Sequence, residues 1–321
     1  MTQFTVAICT YNGEERLGEV LEKLSHQLNQ QNISWEVLVV DNNSQDKTAE
    51  CVHQYQTIWA GKIELRYIFE STQGLAFARQ TAVKKARGKL VGFIDDDNLP
   101  QKNWLASAFC FAESHPQAGA FGSQIEADFE KELPKDFDKI ASFLAVIDRG
   151  KQAFIYQPEE RILPPGAGLV VLRQAWLDCV PKKLFLTGRI GNSMLASEDL
   201  EALSYIQRGS WEIWHNPEMV ITHKIPPHRL EKEYLLSLVR GVGLARHHIR
   251  MIRISSWQRP LAIPIYIAND LRKILLYYLQ HKKHCKTQLG LACEIEFLWS
   301  SFLSPFYLWR KKLSDYLNTF K

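Results

Sequence analysis

Three aspartates in a row, Asp95, Asp96 and Asp97, close the apolar run "VGFIDDDNLP". In an extended segment alternate side chains share a side, so Asp95 and Asp97 can converge. Paired carboxylates suit a hard divalent cation such as Mg²⁺ or Mn²⁺, which keeps positions open for phosphate oxygens. The plain alternative is a solvated turn or a helix cap leading into "NLPQKNWL". Asp41 opens "DNNSQD", where an Asx turn competes with a carboxylate that accepts a hydrogen bond from a nucleobase. Gly74 stands before a helix start, and Arg79 follows about one turn later. Arg79 could brace a phosphate or an aspartate, or simply face solvent. "SEDLEAL" places Glu198 and Asp199 after a Gly/Ser-rich loop. That pair either complements a helix dipole or supplies a general base, Asp199. His223 follows the apolar "MVIT" and is either structural or a neutral imidazole ligand.

These residues need a frame. "FTVAIC", "WEVLVVD", "IELRYIFE" and "KLVGFID" read as strands. Helical segments alternate with them: "GEERLGEVLEKLSHQL", "SQDKTAECVHQY", with a cap at Ser44, and "LAFARQTAVKKARG". Strand and helix in turn imply crossover units and a mostly parallel sheet, whose ligands bind beyond the carboxyl ends of the strands. Asp41, Asp95 and the "TYN" of Thr10–Asn12 all fall at such ends. The middle of the chain, to about residue 222, reads as short strands and loops. From about residue 225 the chain reads as helical, and in "AIPIYIANDLRKILLYYLQ" Leu271, Ile274, Leu275 and Tyr278 share a face.

The 321 residues, 46% hydrophobic and 23% charged, are enough for a sizeable core. A net charge of +4 is too mild to argue for nucleic acid, and none is expected as a partner. The six cysteines lack metal-type or CxxC spacing and read as reduced thiols of a cytoplasmic protein. The N-terminus does not read as a signal peptide. "LACEIEFLWSSFLSPFYLW" carries two glutamates, which argues against spanning a membrane, while lying on one fits. Basic clusters, "HKKHCK" and "RKK", flank this segment and could grip an anionic inner leaflet. Packing on the rest of the chain or on a second subunit is the alternative.

Taken together, "VAICTYNGEERL", "EVLVVDNNSQDKT", "GLAFARQTAVKKARGKLVGFIDDDN", "GAGLVVLR" and "SEDLEAL" resemble the family 2 glycosyltransferases, in that family's order, over about residues 4–205. "ITHKIPPHR" is similar to a bacterial branch that makes cell-surface polysaccharides. The resemblance implies an α/β GT-A fold: a Rossmann-like, mostly parallel sheet flanked by helices, with a C-terminal helical extension. It divides the chain into a catalytic domain over 1–224, with a nucleotide-sugar half to about 100 and an acceptor half after it, and a helical region over 225–321. It implies that Thr10 and Tyr11 flank the base and Asp41 holds it. Gly74 and Arg79 lie near the diphosphate, and Asp95 and Asp97 are the outer members of a DxD element with Asp96 between them. Asp97, Asp95 and His223 hold the metal, and Asp199 is the base with Glu198 beside it. Asn43 occupies a position where many members have glycine, and asparagine tolerates the left-handed backbone better than most residues.

The implied activity is inverting transfer of a sugar from a nucleoside diphosphate to a hydroxyl of a glycan or lipid-linked acceptor. A divalent metal assists, with uridine diphosphate favoured over guanosine diphosphate and peripheral membrane contact as a corollary. A sugar nucleotidyltransferase is the first rival, but "TYNGEERL" fits poorly the Gly-rich, basic loop such enzymes carry after the first strand. A nucleotide-binding scaffold on the same fold is the second.

Overall fold

The computed structural model describes residues 2–318 apart from 30, 135, 161, 192, 193 and 282–287. Lys282, Lys283 and Lys286 of the expected basic cluster therefore lie outside the described residues. The described chain separates into two compact units. The first comprises Met1–Asp128, Ala145–Thr187 and Glu198–Ile225. The second comprises Phe129–Leu144, Gly188–Ser197 and Pro226–Lys321, so two segments from within the expected catalytic span group with the C-terminal helices.

The first unit is built as the alternation predicts. β1 (Phe4–Thr10), β2 (Trp35–Asp41), β3 (Glu64–Phe69) and β4 (Leu90–Asp95) lie parallel in the order β3-β2-β1-β4. β1 and β2 are buried along almost their whole length, which explains their unbroken apolar runs. Between the strands run α1 (Leu17–Ser25), α2 (Thr48–Ile58) and α3 (Leu75–Lys85). On α1 Leu17, Val20, Leu21 and Leu24 are fully buried, each stabilising the fold by about 1.5–3 kcal/mol. α2 starts at Thr48, later than the cap expected at Ser44. The reason is local: the Ser44 hydroxyl is taken by the Asn12 N–H at 2.9 Å, and Asp46 accepts the Thr48 N–H at 3.0 Å instead.

The middle of the chain is more regular than its sequence suggests. β5 (Asn98–Pro100), α4 (Trp104–Ser114) and β6 (Ala118–Phe129) come first. Then follow β7 (Phe154–Ile155), β8 (Val170–Leu172), α5 (Arg173–Cys179), α6 (Glu198–Arg208) and the long β9 (Glu212–Ile225). They extend the sheet as β4-β8-β6-β9-β5, with β7 also on β9. β8 is antiparallel to β4 and to β6, and β9 is antiparallel to β5 and β7.

The second unit contains α7 (Lys232–Ile252), α8 (Arg259–His281) and α9 (Leu289–Asn318). α7 and α9 pack side by side, with the Ser304 hydroxyl donating to the Leu244 carbonyl at 2.5 Å and accepting the His247 N–H at 3.0 Å. Among the described residues no helix is long and apolar enough to cross a membrane.

Candidate active site

Strand register brings the expected residues to one edge. β1 and β2 pair Thr10 with Asp41, and β1 and β4 pair Cys9 with Asp95. Thr10 is buried and its hydroxyl donates to Asp96 Oδ2 at 2.5 Å. Tyr11, one residue beyond the strand, is 44% exposed. Asp41 forms the Asx turn: Oδ1 accepts the Ser44 N–H at 2.8 Å. Its Oδ2 accepts the Tyr67 hydroxyl at 2.7 Å, a partner the sequence gives no hint of. Burial and this bond push the Tyr67 phenol well above its usual range. Asn43 does adopt the left-handed backbone, at φ 67°, and Asn12 does so at φ 50°. The Asn12 Oδ1 accepts the Gln45 N–H at 2.8 Å, tying the loop after β1 to the loop after β2.

Gly74 opens α3 at φ 134°, a conformation that a side chain would strain, and gives its N–H to Asn42 Oδ1 at 2.7 Å. α3 then carries Arg79 into the interior rather than to the surface. Its guanidinium pairs with Glu198 at 3.2 Å and Asp95 at 3.5 Å, and lies 5.5 Å from the centre of the Phe93 ring. Its Nε has no hydrogen-bond partner among the described residues. Burial works against the Arg79 charge, yet Asp95, Glu198 and Asp199 together raise its pKa. A Cβ on Gly166 would crowd this guanidinium and force it to shift, so the glycine gives Arg79 its place. The Gly166 N–H also donates to Asp199 Oδ2 at 2.7 Å. The segment "GAGL" thus links the arginine to the candidate base. Asp199 Oδ1 accepts the Leu200 N–H at 2.7 Å, at the start of α6. Ser197, at φ 83°, turns the chain into that helix.

The three consecutive aspartates have three different surroundings. Asp95 faces Arg79 with its side chain 31% exposed. Burial pushes its pKa up; Arg79 and His223 pull down, and the adjacent Asp97 and Asp96 push further up. Asp96 is held in a fork by Arg16, Nε to Oδ1 at 3.1 Å and a terminal nitrogen to Oδ2 at 2.9 Å. With Thr10 also on Oδ2, the middle carboxylate is tied to the loop after β1. Arg16 escapes sequence reading because it lies 80 positions from its partner. Asp97 Oδ1 accepts from the Asn98 amide at 2.9 Å, and Oδ2 lies 3.6 Å from His223 Nε2. β5 and β9 set that approach by pairing Asn98 with His223.

Asp95 and Asp97 supply hard carboxylate oxygens and His223 a ring nitrogen, the ligand types that a divalent cation takes. Among the described residues, however, no group of three or more His, Cys, Asp or Glu side chains is arranged so that it could hold a metal ion by itself. A cation here would therefore draw further ligands from a bound molecule. A groove of about 430 Å³ beside α4, lined by Leu28, Cys110, Phe111 and Asn216 among others, contains none of these carboxylates. Charge rather than cavity size marks the site.

The family model for glycosyl transferase family 2 matches residues 5–169, just over half of the chain. The chain belongs to this family. Over 117 residues it is 32% identical to the Staphylococcus aureus poly(ribitol-phosphate) beta-N-acetylglucosaminyltransferase TarS. That match covers 36% of this chain and 20% of TarS. Over 101 residues it is 35% identical to the Haloferax volcanii glycosyltransferase AglE, covering 32% of each. The matches thus span a third or less of these relatives' length. Among solved structures, a mannosyltransferase from Pyrobaculum calidifontis in complex with GDP-Man and Mn²⁺ superposes with a TM-score of 0.61. It is 17% identical, covering 95% of this chain and 87% of that one. Residues 1–349 of S. aureus TarS in complex with UDP superpose with a TM-score of 0.52 at 18% identity, covering 94% of this chain and 91% of that fragment. The fold is GT-A, with the central sheet flanked by helices and a helical C-terminal part.

Proposed function

We propose that the protein is an inverting glycosyltransferase that moves a sugar from a nucleoside diphosphate to a hydroxyl of a glycan or lipid-linked acceptor. The observation that carries this reading is the set of carboxylates at the sheet's carboxyl edge. They outnumber their arginines and are joined through Arg79 and Gly166 to Asp199. Thr10 and Tyr11 flank the base and Asp41 accepts one of its N–H groups. Asp97, Asp95 and His223 would hold a divalent cation, Mn²⁺ or Mg²⁺, with further ligands from the donor. When bound, it neutralises charge on the diphosphate leaving group. Asp199 accepts the proton of the acceptor hydroxyl. The two backbone N–H bonds orient its carboxylate while leaving lone pairs for that proton. The acceptor oxygen then bonds to the anomeric carbon opposite the diphosphate. The bond from that carbon to the diphosphate oxygen breaks, and its electron pair leaves with the diphosphate. One displacement inverts the carbon. Glu198 and Asp95 fix Arg79, and Arg79 keeps the base segment next to the donor edge.

TarS, named for transfer to poly(ribitol-phosphate), supports a polymeric glycan-type acceptor; a lipid-linked acceptor and work at the cytoplasmic face of the inner leaflet complete the proposal. The UDP-bound TarS structure supports uridine diphosphate, and the mannosyltransferase keeps guanosine diphosphate as the alternative. The test is donor hydrolysis with purified protein and a panel of nucleotide sugars, with and without Mn²⁺ or Mg²⁺. Metal-dependent release of nucleoside diphosphate from one donor, lost in Asp97→Ala, is the expected result. No release, together with no calorimetric binding of any nucleoside diphosphate plus metal, would sink the proposal.

A further inference from the structure

α8 wears its polarity inside out. Its single acid, Asp270, is buried in a two-bond pair with Arg250 of α7, at 2.5 and 2.7 Å. The Tyr266 ring lies over the same guanidinium at 4.8 Å, and Ile274 is also buried. Leu261, Ile265, Leu275 and Leu279 recur at helical spacing on the opposite side and are 57–70% exposed. Leu271, Leu276 and Tyr278 widen this stripe, and Trp257, 74% exposed, stands just before the helix. At 1.5 Å per residue the stripe runs about 27 Å. A helix facing only water shows the reverse pattern, with charge outward and apolar residues inward.

Charge identifies what covers it. Arg272 is exposed within the stripe, and Lys273 follows it. With Asp270 spent on Arg250, no acid of α8 is left on the exposed face. A groove of about 420 Å³ begins at the stripe's Leu276 and is lined by Arg246, Lys273, Tyr277, Phe297 and Glu294 among others, with Glu294 already paired to Lys139 at 3.1 Å and to the Tyr277 hydroxyl. Burial and the nearby Arg246 lower the Lys273 pKa, so an anion in the groove would relieve both. α9 repeats the pattern: Trp299, Leu303, Phe306 and Trp309 are exposed, Arg310 follows, and no acid occurs from Trp299 to Leu313. A second copy of the chain would bring cations to meet these cations. Apolar residues with interleaved cations and aromatic ends suit the headgroup boundary of an anionic bilayer.

We infer that α8 lies flat on a lipid surface bearing anionic headgroups, with the Arg246–Lys273 groove taking a headgroup phosphate. The inference extends the lipid-linked-acceptor reading, but its test measures vesicle binding rather than transfer. The full chain is sedimented with vesicles of phosphatidylcholine alone or of phosphatidylcholine with phosphatidylglycerol. The wild type pellets with the anionic vesicles. The triple variant Ile265→Ser, Leu275→Ser, Leu279→Ser changes only exposed positions, keeps its thermal midpoint and loses at least about tenfold in binding. Arg272→Gln with Lys273→Gln loses about fivefold per cation on anionic vesicles and little on neutral ones. Inorganic phosphate at equal ionic strength does not release the wild type, because the apolar stripe holds it. Failure of the wild type to pellet overturns the inference, as does unchanged binding by the folded triple variant or release by phosphate. A wild-type dimer that ignores vesicles and splits in the triple variant would assign the stripe to a second copy and likewise overturn it. Metal-dependent donor hydrolysis in the triple variant reports separately on the proposed transferase site.

Discussion

The two ends of the parallel strands both bury acids beside arginines, and they do so to opposite effect. At the amino end Glu36 is fully buried and fully answered. It accepts from the Thr5 hydroxyl, the Arg87 N–H and the Arg66 guanidinium, each at 2.9 Å. Arg87 also pairs with Glu64 at 2.5 Å, so two acids meet two arginines. At the carboxyl end five carboxylates, Asp95, Asp96, Asp97, Glu198 and Asp199, gather around Arg16, Arg79 and His223. A closed cluster serves the fold, whereas an open one holds repulsion that a cation from outside can relieve.

Arg79 breaks this division, because it is a structural cation at the functional end. Arg79→Met leaves Asp95 and Glu198 without their shared partner and should cost about 3–5 kcal/mol of stability. A urea melt reads the loss, and donor turnover should fall with it. Arg79→Lys should rescue little, since one ammonium cannot reproduce the fork. A melt unchanged in the Met variant would mean that the two carboxylates need no buried partner.

A pair of variants sharpens the comparison. Asp97→Ala should cut donor turnover by about a hundredfold or more, while stability holds, because it removes like charge from the open cluster. Glu36→Gln should do the reverse. Turnover per folded molecule stays, while about 3 kcal/mol of stability goes as Arg66 and Arg87 lose their buried partner. Equal effects of both changes on turnover would erase the distinction between the two ends.

Arg16→Gln comes next in size. Arg16 is nearly half-exposed, so loss of its fork on Asp96 should cost only about 1 kcal/mol. The loop after β1 is then free to move against the aspartates, and the donor KM should rise several-fold with kcat little changed. A fall in kcat at constant KM would place Asp96 in the chemical step.

The open end was largely legible in the sequence, and the reason is geometric. Crossover helices force neighbouring strands to run parallel, so Asp41 and Asp95 had to reach the same edge as Thr10 once each was placed at a strand end. The ties among these residues were not legible. Arg16 meets Asp96 and Tyr67 meets Asp41 across loops and strands, with no local pattern to announce either. Gly166 stands out in sequence only as part of "GAGL", yet its missing side chain is what admits Arg79. α4 hid because apolar residues fall on both its buried and half-buried sides, which blurs the helical period. On α8 the expected shared face of Leu271, Ile274, Leu275 and Tyr278 is mostly exposed, with only Ile274 buried. Its one acid turned inward to an arginine on another helix, which periodicity cannot show.

The smallest expected effect separates open from closed charge within the carboxyl end itself. Burial pushes the Asp46 pKa up, but the Thr48 hydroxyl and the N–H groups of Glu14 and Thr48 outweigh it and lower the pKa. A depressed folded pKa contributes stability above the unfolded value, near 4, that is lost as pH falls through the folded value. Asp95 has the opposite sign. Its raised pKa gives a contribution fully present below about 4 and lost as pH rises through the folded value. Urea midpoints from pH 3 to 7 should therefore show Asp46→Asn removing a rise in stability with pH, and Asp95→Asn removing a fall. Mn²⁺ with UDP should shrink the Asp95 fall and leave the Asp46 rise in place, because the cation relieves the same repulsion that raises Asp95. If both slopes changed alike, the excess charge would belong to the whole edge rather than to the aspartates that end β4.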